Sequence, residues 1–163
     1  MTALAGPRRV DVALRPSTDA DHEFLVGLYG STRDEELSQV PWPPGQREAF
    51  VRMQFTAQDT EYRRHNPDGS FDVIEVDGRA VGRLIVDRRP GDIRIVDISL
   101  LPEARGAGIG GQLIGALVDE ATATDRIVSI HVEAHNRAAA LYARLGFTVA
   151  ADLGVYRRME WTS

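Results

Sequence analysis

The chain of 163 residues contains no cysteine and no lysine. The first absence excludes disulfides, thiolate metal sites and a cysteine nucleophile. The second leaves arginine to carry all 19 basic charges and excludes a phosphate loop of the Gly-Lys-Ser/Thr kind. No apolar run approaches the roughly 18–20 residues that span a bilayer. Met1–Arg8 holds no apolar stretch of signal-peptide length, so a cytoplasmic protein without membrane contact is expected. Nucleic acid is a poor partner, because the net charge is −5, the pI is near 5.4 and no basic run occurs. That charge is uneven. Residues 1–80 carry 9 Arg against 14 acids while residues 81–163 balance at 10 and 10, which favours a cationic partner for the N-terminal half.

With 43% hydrophobic and 26% charged residues, a chain of this length predicts one globular domain that buries a core without staples. Alternation over Val10–Leu14 predicts a first strand. Thr18-x-x-Asp21 has the form of a capping box, followed by a helical stripe of Phe24, Leu25 and Leu28. Pro41–Gly45 is a break, with Trp42 expected as a loop anchor. Phe50, Met53, Gln54 and Ala57 then predict a second helix to about Arg64, with Met53 and Phe55 in the core. Phe71–Val76 and Ala80–Val86 read as strands joined at Asp77-Gly78, a strong hairpin signal. Ile93–Leu101 and Ile127–Val132 are further strands. Helices are expected from Gly106 to about Thr124 and from Asn136 to Leu145, the latter stopped by Gly146, before a last strand over Val155–Trp161. The order β-α-α-β-β-β-α-β-α-β gives an α/β (α+β) domain, a mixed sheet of about six to seven strands flanked by helices on both faces.

The chemistry concentrates in one segment. An apolar strand runs through Asp97-Ile-Ser-Leu100 into a loop with glycines at 106, 108, 110 and 111, and the loop opens an amphipathic helix. Glycine is costly at a helix start unless bare backbone is needed. The usual need is for terminal N–H groups to approach a phosphate closely. Arg105 at the loop entry adds a charge-assisted donor. Gly106-x-Gly108-x-x-Gly111 also satisfies the dinucleotide fingerprint formally, with Glu133 ending the next strand. Four strands precede the loop, however, and too few residues follow Glu133 for the remaining βα units of that fold.

Arg105-x-x-Gly108-x-Gly110 resembles the Arg/Gln-x-x-Gly-x-Gly/Ala signature of the GNAT superfamily, the acyl-coenzyme A-dependent N-acetyltransferases. Asn136-Arg-Ala-Ala-Ala-Leu-Tyr142-Ala-Arg-Leu-Gly146-Phe147 resembles that family's second signature, although Asn136 and Tyr142 stand six apart where many relatives have seven. The resemblance covers residues 71–161, the expected acetyl-coenzyme A-binding core, whereas residues 1–70 correspond to the variable, substrate-facing part. It implies acetyl-coenzyme A, as co-substrate, in a V-shaped opening between the strand ending at Leu100 and the strand containing Val132. Backbone groups of Ile98, Ser99 and Leu100 would pair with the pantetheine arm. Those of Gly106, Ala107, Gly108, Ile109, Gly110 and Gly111 would hold the pyrophosphate beside Arg105. Asn136 would touch the cofactor, and Tyr142 would face its sulfur as general acid.

The implied activity is acetyl transfer to a primary amine of a small molecule, protein or peptide, with no metal. A non-catalytic acyl-coenzyme A-binding sensor is the alternative, a dinucleotide-binding protein a weaker one, and a homodimer is left open. A lysine-like amine has a pKa near 10.4, so about one molecule in 10³ is neutral at pH 7, a handicap of roughly 4–5 kcal/mol. A general base would ease it. The candidates are Asp97, His131 and Glu133. His131 has the best-matched ordinary pKa and lies five residues before Asn136, where some relatives carry a catalytic glutamate. His22 and His65 have no partner at metal-ligand spacing.

Overall fold

The computed structural model describes residues 10–134, 136 and 138–163; Met1–Arg8 and Arg137, both used above, lie outside them. Among the described residues one seven-stranded sheet organises the chain, in the order β1-β2-β3-β4-β5-β7-β6. Its strands are β1 (Val12–Pro16), β2 (Ser70–Val76), β3 (Arg79–Arg89), β4 (Asp92–Leu100), β5 (Ile127–Glu133), β6 (Thr148–Asp152) and β7 (Tyr156–Trp161). Neighbours pair antiparallel except β4 and β5, which run parallel. A parallel pair needs a crossover, and helix α4 (Ile109–Thr124) supplies it. Helix α5 (Ala138–Arg144) connects β5 to the closing β6–β7 hairpin.

The larger core lies between the sheet and α4. Leu84, Val86, Ile93, Ile95, Val128, Ile130 and Val132 pack there against Ile109, Leu113, Ile114, Leu117 and Ala121. Burying each large aliphatic side chain contributes about 1.5–3 kcal/mol, so this face carries most of the sheet's stability. A smaller core joins α1 (His22–Thr32), a single turn α2 (Asp34–Leu37) and α3 (Gln46–His65) on the other face, around Leu25, Leu28, Tyr29, Val51 and Phe55. The capping box holds at the first turn. Asp21 accepts from the Thr18 N–H at 2.8 Å and from Arg15 at 2.8 and 2.9 Å. The Arg15 bonds, then the Thr18 bond, pull its carboxyl down to about 2.

Three expectations need correction. Met53 is 58% exposed rather than in the core, because the buried stripe of α3 runs through Val51 and Phe55. The β6 strand, which begins at Thr148 just after Gly146-Phe147, was not expected, since Val149-Ala-Ala alternates too weakly to stand out. The helix expected from Gly106 begins at Ile109, with Gly108 as its N-cap, because Gly106 and Gly108 take left-handed backbone angles. Trp42 is the anchor expected: its indole N–H donates to the Leu37 carbonyl at 2.9 Å and its ring lies 5.2 Å from Phe50.

Candidate active site

The parallel ladder between β4 and β5 stops early. It pairs Asp92–Ile95 with Ile127–Ile130 and goes no further. Beyond it β4 is paired to β3 and β5 to β7, so two strand edges diverge with their backbone groups facing the gap. A register slip between Ile85 and Val86 marks a bulge opposite Val96. The bulge restarts the alternation of β4: Ile98 and Leu100 pack toward the α4 core, while Asp97 and Ser99 stand on the face that carries Arg83. The opening expected between Leu100 and Val132 is therefore present, bordered by Ile98, Ser99 and Leu100.

The glycine loop lies at its end. After a single 3₁₀ turn over Pro102–Ala104, the Arg105 Nε donates to the Leu100 carbonyl at 3.1 Å and ties the loop to the strand. Gly106 and Gly108 have φ of 77° and 81°, and a Cβ on either would meet nothing within 4 Å. No protein packing demands these two glycines; a left-handed backbone and an open approach do. Gly110 and Gly111 serve differently, since a Cβ there would lie 3.6 and 3.9 Å from Leu141 of α5. Ala107 is exposed, and Ile109 is 3% exposed, so Ile109 can offer a ligand only its backbone N–H. Gly108 caps α4, leaving the first-turn N–H groups directed outward at the positive end of the helix dipole. Bare backbone, terminal N–H donors and an adjacent arginine fit a pyrophosphate, and the unpaired strand edge fits the amide groups of a pantetheine arm.

Tyr142 is 4% exposed and held against Phe147, ring centroids 5.8 Å apart. Burial first, and then the negative charge of Asp97, raise its pKa to about 12. Burial pushes the Asp97 carboxyl up as well; Arg83, Ser99 and the Ile98 N–H oppose that rise. The Ser99 hydroxyl donates to both Asp97 oxygens, at 3.1 and 3.3 Å. Tyr62 of α3 is raised by burial, by Asp97 and by Tyr156. One carboxylate thus acts on two tyrosines from different layers of the fold.

The other sequence candidates sit apart. His131 shares the Asp97 face of the sheet but is exposed, and its ring nitrogens lie 3.3 and 3.4 Å from the Arg94 guanidinium. Desolvation, Arg94 and Arg158 all lower its pKa. Glu133 is exposed at the end of β5 beside its cross-strand partner Tyr156. The Asn136 side-chain oxygen accepts from the Ala138 N–H at 2.9 Å, capping α5. Sequence reasoning missed Tyr62 and Arg83, since neither belongs to a motif: α3 packing on the sheet brings Tyr62 toward Asp97, and the β3–β4 register sets Arg83 on the same face. No group of residues able to hold a metal occurs among the described residues.

A family model of the GNAT acetyltransferases matches residues 33–147. The chain is 33% identical over 108 residues to a mycothiol acetyltransferase of Salinispora tropica, an alignment covering 58% of this chain and 34% of that protein. The chain therefore spans only part of that relative. Among solved structures, the PaiA N-acetyltransferase of Thermoplasma acidophilum in complex with coenzyme A superposes with a TM-score of 0.70 at 16% identity, covering 94% of this chain and 99% of that one. An acetyltransferase of Thermus thermophilus follows at 0.65 and 21% identity, covering 91% and 95%. The split sheet and glycine loop thus have their place in a known family, and the chain belongs to the GNAT acetyltransferases.

Proposed function

We propose that the chain transfers an acetyl group from acetyl-coenzyme A to a primary amine of a small molecule or peptide, with Asp97 as general base and Tyr142 as general acid. The single observation that carries the assignment is the coupling of these two groups at the split between β4 and β5. Acetyl-coenzyme A supplies a thioester carbonyl open to attack and a thiolate that departs. Val96–Leu100 of β4 would hold its arm, and the N–H groups of Gly106–Gly111 with Arg105 would hold its pyrophosphate.

The amine nitrogen grows acidic as its bond to the carbonyl carbon forms. A base with a raised carboxylate pKa can then accept the proton, directly or through water. Asp97 meets that need because burial raises it while Ser99 holds its oxygens in place. Protonation removes the charge that helped to raise Tyr142. The phenol thereby becomes more acidic as the thiolate needs a donor, so the two proton movements reinforce each other. His131, lowered first by desolvation and then by Arg94 and Arg158, has no comparable link to Tyr142.

The test is thiol release from acetyl-coenzyme A across a panel of amines, amino acids and peptides. At least one acceptor should raise release well above hydrolysis. Coenzyme A binding with no acceptor-dependent release would instead establish a non-catalytic binding module.

A further inference from the structure

A line of alternating charge runs from the surface to Asp97. Arg63, 52% exposed, donates from Nε to Asp59 Oδ2 at 3.0 Å. Asp59 Oδ1 accepts from Arg83 Nη2 at 2.6 Å. Arg83 is only 4% exposed, and its guanidinium lies 5.5, 5.8 and 6.0 Å from the rings of Phe55, Tyr62 and Phe71. On β3 it is the cross-strand partner of Ser99, the residue that bonds Asp97. Asp59 pairs with the buried Arg83 guanidinium, while Arg63 at the outer end of the line is open to solvent. The register of β3 on β4 sets that guanidinium on the same sheet face as Asp97, one residue pair away.

We propose that Arg83, held by Asp59 on the sheet face it shares with Asp97, is a positioning residue that keeps Asp97 a carboxylate. The inference rests on the assignment of Asp97 as base. The groups that face Asp97 are Ser99 on its own strand, Arg83 on β3, Tyr62 with Asp59 behind Arg83 on α3, and Tyr142 on α5; Glu133 and Tyr156 lie at the rim on β5 and β7. Of these, Arg83 is the cation whose charge opposes the effect of burial on Asp97. Asp59 sets how much of that charge Asp97 receives.

The two ends of the chain therefore predict opposite effects. Arg83→Met removes the cation and should raise the Asp97 pKa by about one unit or more. Asp59→Asn removes the competing carboxylate and should lower it, while Arg83→Lys should restore most of the wild-type value. The readout is the carboxyl ¹³C titration of Asp97 in the full chain, assigned by its disappearance in Asp97→Asn. General damage to the fold would not move the two variants in opposite directions, and Asp59→Asn decides alone should Arg83→Met fail to fold. An Asp97 titration that stays put in the folded variants overturns the inference. A separate measurement reports on the base assignment: the acidic limb of kcat/KM should vanish in Asp97→Asn. Opposite NMR shifts with that limb intact would uphold the charge chain and overturn Asp97 as base.

Discussion

The two faces of the central sheet solve different problems with residues one position apart. Under α4 the strands present Leu84, Val86, Ile93, Ile95, Val128 and Ile130, all nearly inaccessible. Apolar burial is non-directional, so that face needs volume and shape but no particular partners. On the opposite face Arg83, Arg94, Asp97, Ser99, Ser129, His131 and Arg158 alternate with those side chains, and each polar group needs a partner of its own. Ser129, fully buried, accepts from the Arg94 Nε at 2.9 Å and donates to Asp92 at 2.8 Å. On the proposed function, the division lets one sheet serve two substrates. The bulge and the early end of the β4–β5 ladder leave a backbone edge that would take the cofactor, while the polar face would supply charge and proton transfer.

The comparison breaks most completely where the two faces share one backbone. Gly82 lies where β3 approaches β4 so closely that a Cβ would stand 2.3 Å from the Ser99 carbonyl oxygen and 2.8 Å from Leu100. Gly82→Ala should cost about 3 kcal/mol in denaturant unfolding and impair cofactor binding and turnover together. Tyr142→Phe sharpens the contrast. It keeps the ring packing, so kcat should fall about 10- to 100-fold, some 1.4–2.7 kcal/mol of barrier, with coenzyme A affinity and Tm unchanged. Normal turnover in that variant would reduce Tyr142 to a packing residue. Gly108→Val probes the cofactor side: coenzyme A affinity by calorimetry should drop about tenfold or more, near 1.4 kcal/mol, with the fold kept. Unaltered affinity would mean that the pyrophosphate is held elsewhere. The smallest effect is expected at His131→Ala, less than about threefold in kcat/KM with the acidic limb intact. Loss of that limb would transfer the base from Asp97 to His131.

Local chemistry made the glycine-loop half of the candidate site legible in the sequence. Glycine at a helix start, an arginine before it, the Asp77-Gly78 turn and long β-branched strands each announce their own structure within a few residues. The four glycines, read there as one cradle, divide into Gly106 and Gly108, which leave space, and Gly110 and Gly111, which pack on Leu141. The α3 layer was harder because few apolar residues mark its face. Met53 seemed as good a core residue as Phe55 until the sheet and α1 selected the Val51–Phe55 side. The placement of Asp97 relative to His131 was not legible at all. Both are polar residues on apolar strands, and only tertiary packing puts one beside two tyrosines and the other beside two arginines.

The division of labour between backbone edge and polar face is tested most directly by Asp97→Asn, with coenzyme A affinity and acetyl transfer measured on the same preparation. Burial places the Asp97 carboxyl above the ordinary carboxylate range, and in the proposed mechanism its ionised form is the active one. Wild-type kcat/KM should therefore rise with pH through that raised pKa. The account predicts that Asp97→Asn binds coenzyme A as the wild type does while kcat/KM falls about 10²-fold or more and loses its acidic limb. Unchanged turnover, or a parallel loss of coenzyme A affinity, would contradict it.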